Sequence, residues 1–84
     1  MKHFTYYTKY VCARQIDFDL DGEGRLRNLA FVGGCDGNLK ALGRLCEGEK
    51  AETLIEKLLG VTCDEKPTSC SDQLARSLRQ ALQA

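Results

Sequence analysis

The sequence predicts an α+β domain, a three-stranded antiparallel sheet followed by three helices packed on it. Apolar residues alternate with polar ones over most of the first 32 positions, the period of a strand with one buried face. From Leu39 onward they recur every three or four positions, the period of a helix. The glycine-rich stretch GGCDGN, Gly33 to Asn38, separates the two regimes. Strands grouped first and helices grouped second argue for segregated layers rather than alternating β-α units. With 84 residues, no repeat and no linker-like stretch, residues 1–84 form a single domain.

Each element can be justified in turn. The first strand is expected over residues 4–11, where Phe4, Tyr6, Thr8 and Tyr10 alternate with Thr5, Tyr7, Lys9 and Val11. Ile16, Phe18 and Leu20 alternate with Gln15, Asp17 and Asp19, giving a second strand with one wet face. Asp21 to Gly24, DGEG, is a strong hairpin loop. The return strand, RLRNLAFV over residues 25–32, carries apolar residues on both parities. Leu39, Leu42 and Leu45 then mark a first helix that Gly48 caps at its C-terminus. Ala51, Leu54, Ile55, Leu58 and Leu59 form the stripe of a second helix, closed by Gly60. After a loop holding Pro67, the residues Leu74, Ala75, Leu78, Ala81 and Leu82 mark the third.

Composition narrows the function. Twelve basic and twelve acidic residues cancel without long blocks of either sign, which argues against a nucleic-acid or anionic-membrane surface. The first dozen residues, MKHFTYYTKYVC, hold no continuous apolar run, so neither a signal peptide nor a membrane span is expected there. Cytoplasmic localisation follows as the expectation, and with it reduced thiols. A chain this short buries only ~60–65% of its unfolded surface, and such domains lean on a metal, disulfides or a partner. Five cysteines, an odd number, point to metal binding or redox chemistry before a disulfide framework.

Four of the five fall at element ends. Cys12 lies between the first two strands, Cys35 follows the third, Cys63 follows the second helix, and Cys70 begins the third helix. Loops at one edge of a small domain can bring such residues together. Cys46, inside the first helix beside Leu45, reads as filler. Ser69 can cap the last helix, with Asp72 three positions on imitating a capping box. Cys70 then sits in the first turn, where the helix dipole favours a thiolate, the form that binds metal. Packing beside Leu74 is the alternative for the same residue.

The spacing leaves the chemistry open. There is no CxxC pair, which argues against zinc ribbons, ferredoxins and thioredoxin-like folds. A four-thiolate zinc site from Cys12, Cys35, Cys63 and Cys70 is stereochemically reasonable, and a Cys63–Cys70 redox couple is a second possibility. Asp36 and Asp64, each after a cysteine, are candidate oxygen ligands or solvated loop residues. GGCDGN lacks the GK[ST] ending of a phosphate-binding loop and reads as a turn. His3 reads as a surface residue, Arg76 and Arg79 as a solvated helix face. Tyr6, Tyr7 and Tyr10 suggest a sheet face rather than a base-stacking platform, given the balanced charge.

Several of these stretches carry a resemblance. GGCDGNL (33–39), the Gly48 helix end, LLGVTC (58–63) and TSCSDQLARSL (68–78) resemble the TSCPD domain, from Cys12 to the last helix. The family is named for the motif that here reads TSCSD, with Ser71 in place of the proline. The chain is similar to short stand-alone members; other members end cobalamin-dependent ribonucleotide reductases. The resemblance implies a metal-binding accessory domain, with zinc held by the cysteines, and a ribonucleotide reductase catalytic subunit or a second copy as partner. It does not imply a complete reductase, which needs a large barrel, a radical source and a nucleotide pocket. A more distant similarity to iron–sulfur cluster scaffold proteins implies the same fold, with Cys12, Cys35 and Cys70 converging and Cys63 as a fourth ligand. An iron–sulfur cluster is accordingly the second cofactor implied. The pattern departs at Ala13 and Arg14, where those scaffolds carry an aspartate, and at Ser69, where they carry a histidine.

Overall fold

The computed structural model of the chain describes residues 1–8, 11, 13–34, 36–62 and 67–83. Three strands are followed by three helices, as the sequence pattern requires. The strands are β1 (Lys2–Tyr7), β2 (Ala13–Leu20) and β3 (Leu26–Gly33), and the helices are α1 (Asp36–Cys46), α2 (Ala51–Leu58) and α3 (Cys70–Leu82). The sheet is antiparallel in the order β1-β2-β3. Its first strand lies earlier than expected. Lys2 pairs with Leu20 and Tyr7 with Gln15, and Thr8 lies past the strand. The aromatic–polar alternation that suggested 4–11 is real, but pairing to β2 sets the strand's length. Lys9 and Tyr10 lie outside the described residues.

One face of the sheet carries the core. Ile16, Phe18, Leu20 and Leu26 meet Cys46 of α1, Ala51 and Leu54 of α2, and Leu74, Leu78 and Ala81 of α3. Phe4 and Phe18 are cross-strand partners whose rings stack at 5.5 Å between centroids. The opposite face is polar. There Thr5 donates to Asp17 Oδ1 at 2.7 Å, His3 Nδ1 lies 2.7 Å from Asp19 Oδ1, and Asn28 Nδ2 donates to Asp19 Oδ2 at 2.9 Å.

Two bulges explain the mixed parity of the strands. Asp17 and Asp19 pair with Ala30 and Arg27, so β3 holds one residue more than β2 over this step. Asn28 absorbs it with φ +57°, a left-handed conformation that asparagine tolerates better than most residues. Its own N–H donates to Glu47 Oε1 at 2.9 Å. The helix-facing set therefore runs Leu26, then Leu29 and Phe31, while Ala30 and Val32 lie on the exposed side. Near the other end Ala13 pairs with Gly33 and Gln15 with Val32, which puts the extra residue on β2. That is how Ala13 and Ile16, three positions apart, are both buried.

The helices follow their periodicity with three corrections, one of them Leu82, expected in the α3 stripe but 43% exposed as the last residue of that helix. Leu45 was expected in the α1 stripe, but it is 77% exposed, and Cys46 takes the core position with 2% exposure. Leu39, Leu42 and Cys46 keep the i, i+3, i+7 spacing of one helix face, which Leu45 leaves. Leu59 was expected in the α2 stripe; it is the C-cap, with an extended backbone, and is partly exposed. Gly48 and Gly60 end their helices with φ of +80° and +87°. No described helix is long and apolar enough to cross a membrane.

The hairpin is organised by Asp21. Its Oδ1 accepts the N–H groups of Glu23 at 2.9 Å and Arg25 at 3.0 Å, and its Oδ2 accepts from Arg27 Nε at 3.2 Å. The Arg25 N–H, followed by the Glu23 N–H and the Arg27 side chain, holds the Asp21 carboxyl below its ordinary value against the opposing effect of burial. Hydrogen bonds from Asn28 and His3 do the same for Asp19. A carboxyl depressed in the folded state stabilises fully above its unfolded pKa, and that contribution is lost as the pH falls through the folded value. Denaturant unfolding should therefore show stability falling below about pH 4, the ordinary carboxylate range. Asp21→Asn should flatten the slope in this window. An equally steep acid slope in the variant would contradict this role for Asp21.

Candidate metal centre

The chain direction of each helix decides which element ends meet. At the close of α1 the Gly48 N–H donates to Leu26 O at 2.8 Å, and the Leu26 N–H donates to Glu49 O at 2.9 Å. The Ala51 N–H donates to Gly24 O at 3.0 Å, so α2 starts beside the hairpin. It ends against the start of α3, where the Gly60 N–H donates to Asp72 Oδ1 at 2.7 Å. From there α3 runs back to the hairpin, and Ala81 and Leu82 line a shallow hollow with Lys2, Leu20 and Gly24. The hairpin end thus receives the close of α1, the start of α2 and the close of α3. The opposite end receives the start of β2, the close of β3, the start of α1, the close of α2 and the start of α3.

Cys70 is the one expected ligand among the described residues. It is the first residue of α3, half-buried, and a free thiol. Cys12, Cys35 and Cys63, like Asp64, lie outside the described residues, and the side chain of Asp36 is likewise not described. Their covalent neighbours are described. Ala13 pairs with Gly33, and a Cβ placed on Gly34 would lie 3.0 Å from the Ala13 nitrogen and 2.7 Å from Leu39 Cδ1. Ser69 donates its hydroxyl to Val61 O at 2.5 Å. So the residues flanking Cys12 and Cys35 touch each other, and so do the segments leading into Cys63 and Cys70. Both contacts lie at the end opposite the hairpin. Among the described residues no three His, Cys, Asp or Glu side chains are grouped to hold a metal ion.

Gly34 is required by both its φ of +86° and its surroundings. Gly34→Ala should cost about 2 kcal/mol, from the left-handed backbone and the contact with Ala13. Gly22→Ala, with nothing within 4 Å of the added carbon, is the matched control. Equal unfolding midpoints for the two variants would refute the close approach.

Cys46 is the opposite kind of thiol. Burial, with Glu49 nearby, pushes it up to about 11, so it stays protonated and packs as a small apolar side chain. The sequence reading of this residue as filler agrees.

Around Cys70 the local structure exceeds what the capping pattern suggests. Ser69 is the N-cap, and its Oγ accepts the Asp72 N–H at 3.1 Å. The Asp72 carboxylate turns into the protein, where it is fully buried. Its Oδ1 accepts from Gly60, and its Oδ2 accepts from the Thr68 hydroxyl at 2.5 Å and from Arg76 Nε at 2.8 Å. Burial raises the Asp72 pKa, but the Thr68 hydroxyl, the Gly60 N–H and Arg76 outweigh it and leave it below the ordinary value. Gln73 Nε2 donates to Thr68 Oγ1 at 3.0 Å, extending the network. Arg76 is therefore half of an ion pair rather than part of a merely solvated face, while Arg79 is exposed as expected. Sequence reasoning placed Asp72 only in the cap and Thr68 only in the TSCSD motif, and missed their buried hydrogen bond. Their spacing across Ser69 suits a cap, and only the return of α2 reveals what the carboxylate holds.

Fold and site together define a class: a small α+β domain whose cysteine-flanking segments gather at one end of the sheet. The chain belongs to the TSCPD domain family, whose profile matches residues 2–82, nearly its whole length. Membership is consistent with a ribonucleotide reductase-related domain. No curated protein and no solved structure matches the chain.

Proposed function

We propose that this chain is a small zinc-binding accessory domain, related to ribonucleotide reductase and acting with or beside ribonucleoside-diphosphate reduction. Its ligands in this reading are the thiolates of Cys12, Cys35, Cys63 and Cys70. The observation that carries it is two contacts, Ala13 with Gly34 and Val61 with Ser69, each residue within two positions of one of these cysteines and both contacts at the end opposite the hairpin. Four thiols are the donor set of a closed, tetrahedral zinc site. Such a site would tie four segments together in a domain whose core is thin for its length. The reaction itself belongs to a catalytic subunit, and the domain's partner in this reading is that subunit or a second copy of the domain.

Metal analysis of the protein purified without chelator tests this directly. About one zinc per chain is expected, as for a single structural site. Cys→Ser at position 12, 35, 63 or 70 should lose it, and Cys46→Ser should keep it. A wild type without metal would overturn the reading. Reversible formation of a Cys63–Cys70 disulfide would then favour a thiol redox protein, for which the Ser69–Val61 contact between the two segments is the supporting observation. A labile iron–sulfur chromophore would favour a scaffold for cluster handling.

A further inference from the structure

We propose that the outer edge of β3, from Leu29 to Gly33, takes up an extended acidic segment of a partner protein as an added strand. The edge is already used in this way at its first residue. There the Gly48 N–H donates to Leu26 O at 2.8 Å and the Leu26 N–H to Glu49 O at 2.9 Å. Arg25 and Lys50 form an antiparallel bridge beside them, so the α1–α2 connection lies along β3 like a short strand. Beyond the Asn28 bulge that cover ends. β3 is the last strand of the sheet, and among the described residues no backbone group outside β2 bonds to residues 29–33. Exposed edges are ordinarily blunted by charge, and β1, at the other edge, begins with Lys2 and His3. Leu29, Ala30, Phe31, Val32 and Gly33 carry none.

The space beside this edge suits a strand and selects its charge. A groove of about 460 Å³ runs between β3 and α1, with Leu29, Phe31 and Leu39 on its apolar side. Lys40, Arg44 and Glu47 form the rim, on the helix face that also holds Gly43. Gly43 keeps the groove open, since a carbon added there would lie 3.5 Å from Leu29 O and a longer side chain would fill the space. The Glu47 carboxylate is already matched by Arg27 Nη1 at 3.3 Å and by the Asn28 N–H at 2.9 Å. Arg44, unlike Arg25, Arg27 and Arg76, makes no ion pair among the described residues. The charge offered to an incoming chain is therefore positive at Arg44, and acidic side chains complement it. Main-chain pairing along Leu29–Gly33 supplies affinity, and the apolar side of the groove takes alternate side chains, as in strand addition generally. A second copy of this chain would bring an uncharged β3 and a Glu47 engaged in the same way.

Titration of the isotope-labelled full chain with a blocked peptide of alternating valine and glutamate, long enough to span Leu29–Gly33, tests this by amide NMR shifts. Saturable shifts are expected at residues 29–33 and along the Lys40–Glu47 face, with those of β1 unmoved. Arg44→Glu should weaken binding by about 3–10-fold, the effect of reversing one exposed charge. Gly43→Gln should abolish it and leave the fold at least as stable, because glutamine is the better helix former. Absence of shifts at residues 29–33 would overturn the proposal, as would a Gly43→Gln variant that binds like the wild type. Equal binding of a valine–lysine peptide would overturn the acidic assignment. Sedimentation showing a dimer whose amides at 29–33 are already protected from exchange would give the edge to a second copy instead. None of these readouts depends on metal content, so failure here leaves the zinc reading standing.

Discussion

Phe18→Ala should lower the unfolding free energy by about 3–5 kcal/mol, the range for deleting a fully buried aromatic side chain. Phe18 is completely inaccessible at the centre of the middle strand, stacks on Phe4, and sits in the cluster shared by the sheet and all three helices. A chain of this length has of the order of 5–10 kcal/mol in total, so the variant should be unfolded in part at 37 °C. Leu45→Gln supplies the contrast. That leucine is almost fully exposed, and the change should stay within about 0.5 kcal/mol. Urea unfolding followed by circular dichroism reads both. A loss below about 1.5 kcal/mol for Phe18→Ala would show that the helices do not converge on this ring.

Asp72→Ala should cost about 3 kcal/mol, chiefly by stranding donors rather than by losing charge attraction. The Gly60 N–H and the Thr68 hydroxyl lose their acceptor where water does not reach Asp72. Arg76→Ala should cost only about 1 kcal/mol, because Asp72 keeps its other two donors and the arginine is half-exposed. Comparable losses for the two variants would mean that the ion pair, not the helix–loop clamp, is what Asp72 contributes.

The legible parts of the fold were those whose cause is local. Asp21 and Gly24 organise a hairpin, Ser69 caps a helix, and Gly48 and Gly60 end helices through backbone conformations that glycine allows. The alternation of Ile16, Phe18 and Leu20 marks a buried face because successive strand residues point to opposite sides. Reading failed where an inserted residue shifts that alternation. Leu26 and Leu29 share a face only because Asn28 is bulged, and the bulge is secured by Glu47 and Asp19, both distant in sequence. Leu45 and Cys46 posed a different difficulty. Both are apolar neighbours on one helix, and the direction in which α1 lies on β3 selected the smaller for the core.

The candidate site divides along the same line. The number of cysteines and their placement at element boundaries could be read from the chain, as could the family they resemble, which the match over residues 2–82 bears out. So could the cap that opens α3 at Cys70. The inward turn of Asp72 could not, because although Thr68 lies only four residues away, Gly60 reaches the carboxylate only through the packing of α2 on α3. Sequence by itself determined the order of elements, their caps and the end of each element at which a thiol stands, since backbone preference and periodicity act over a few residues. Tertiary structure alone decided the strand register, the leucine left to solvent and the carboxylate that ties α2 to α3. Each of these depends on which distant surfaces exclude water together, and no local window of the chain contains that information.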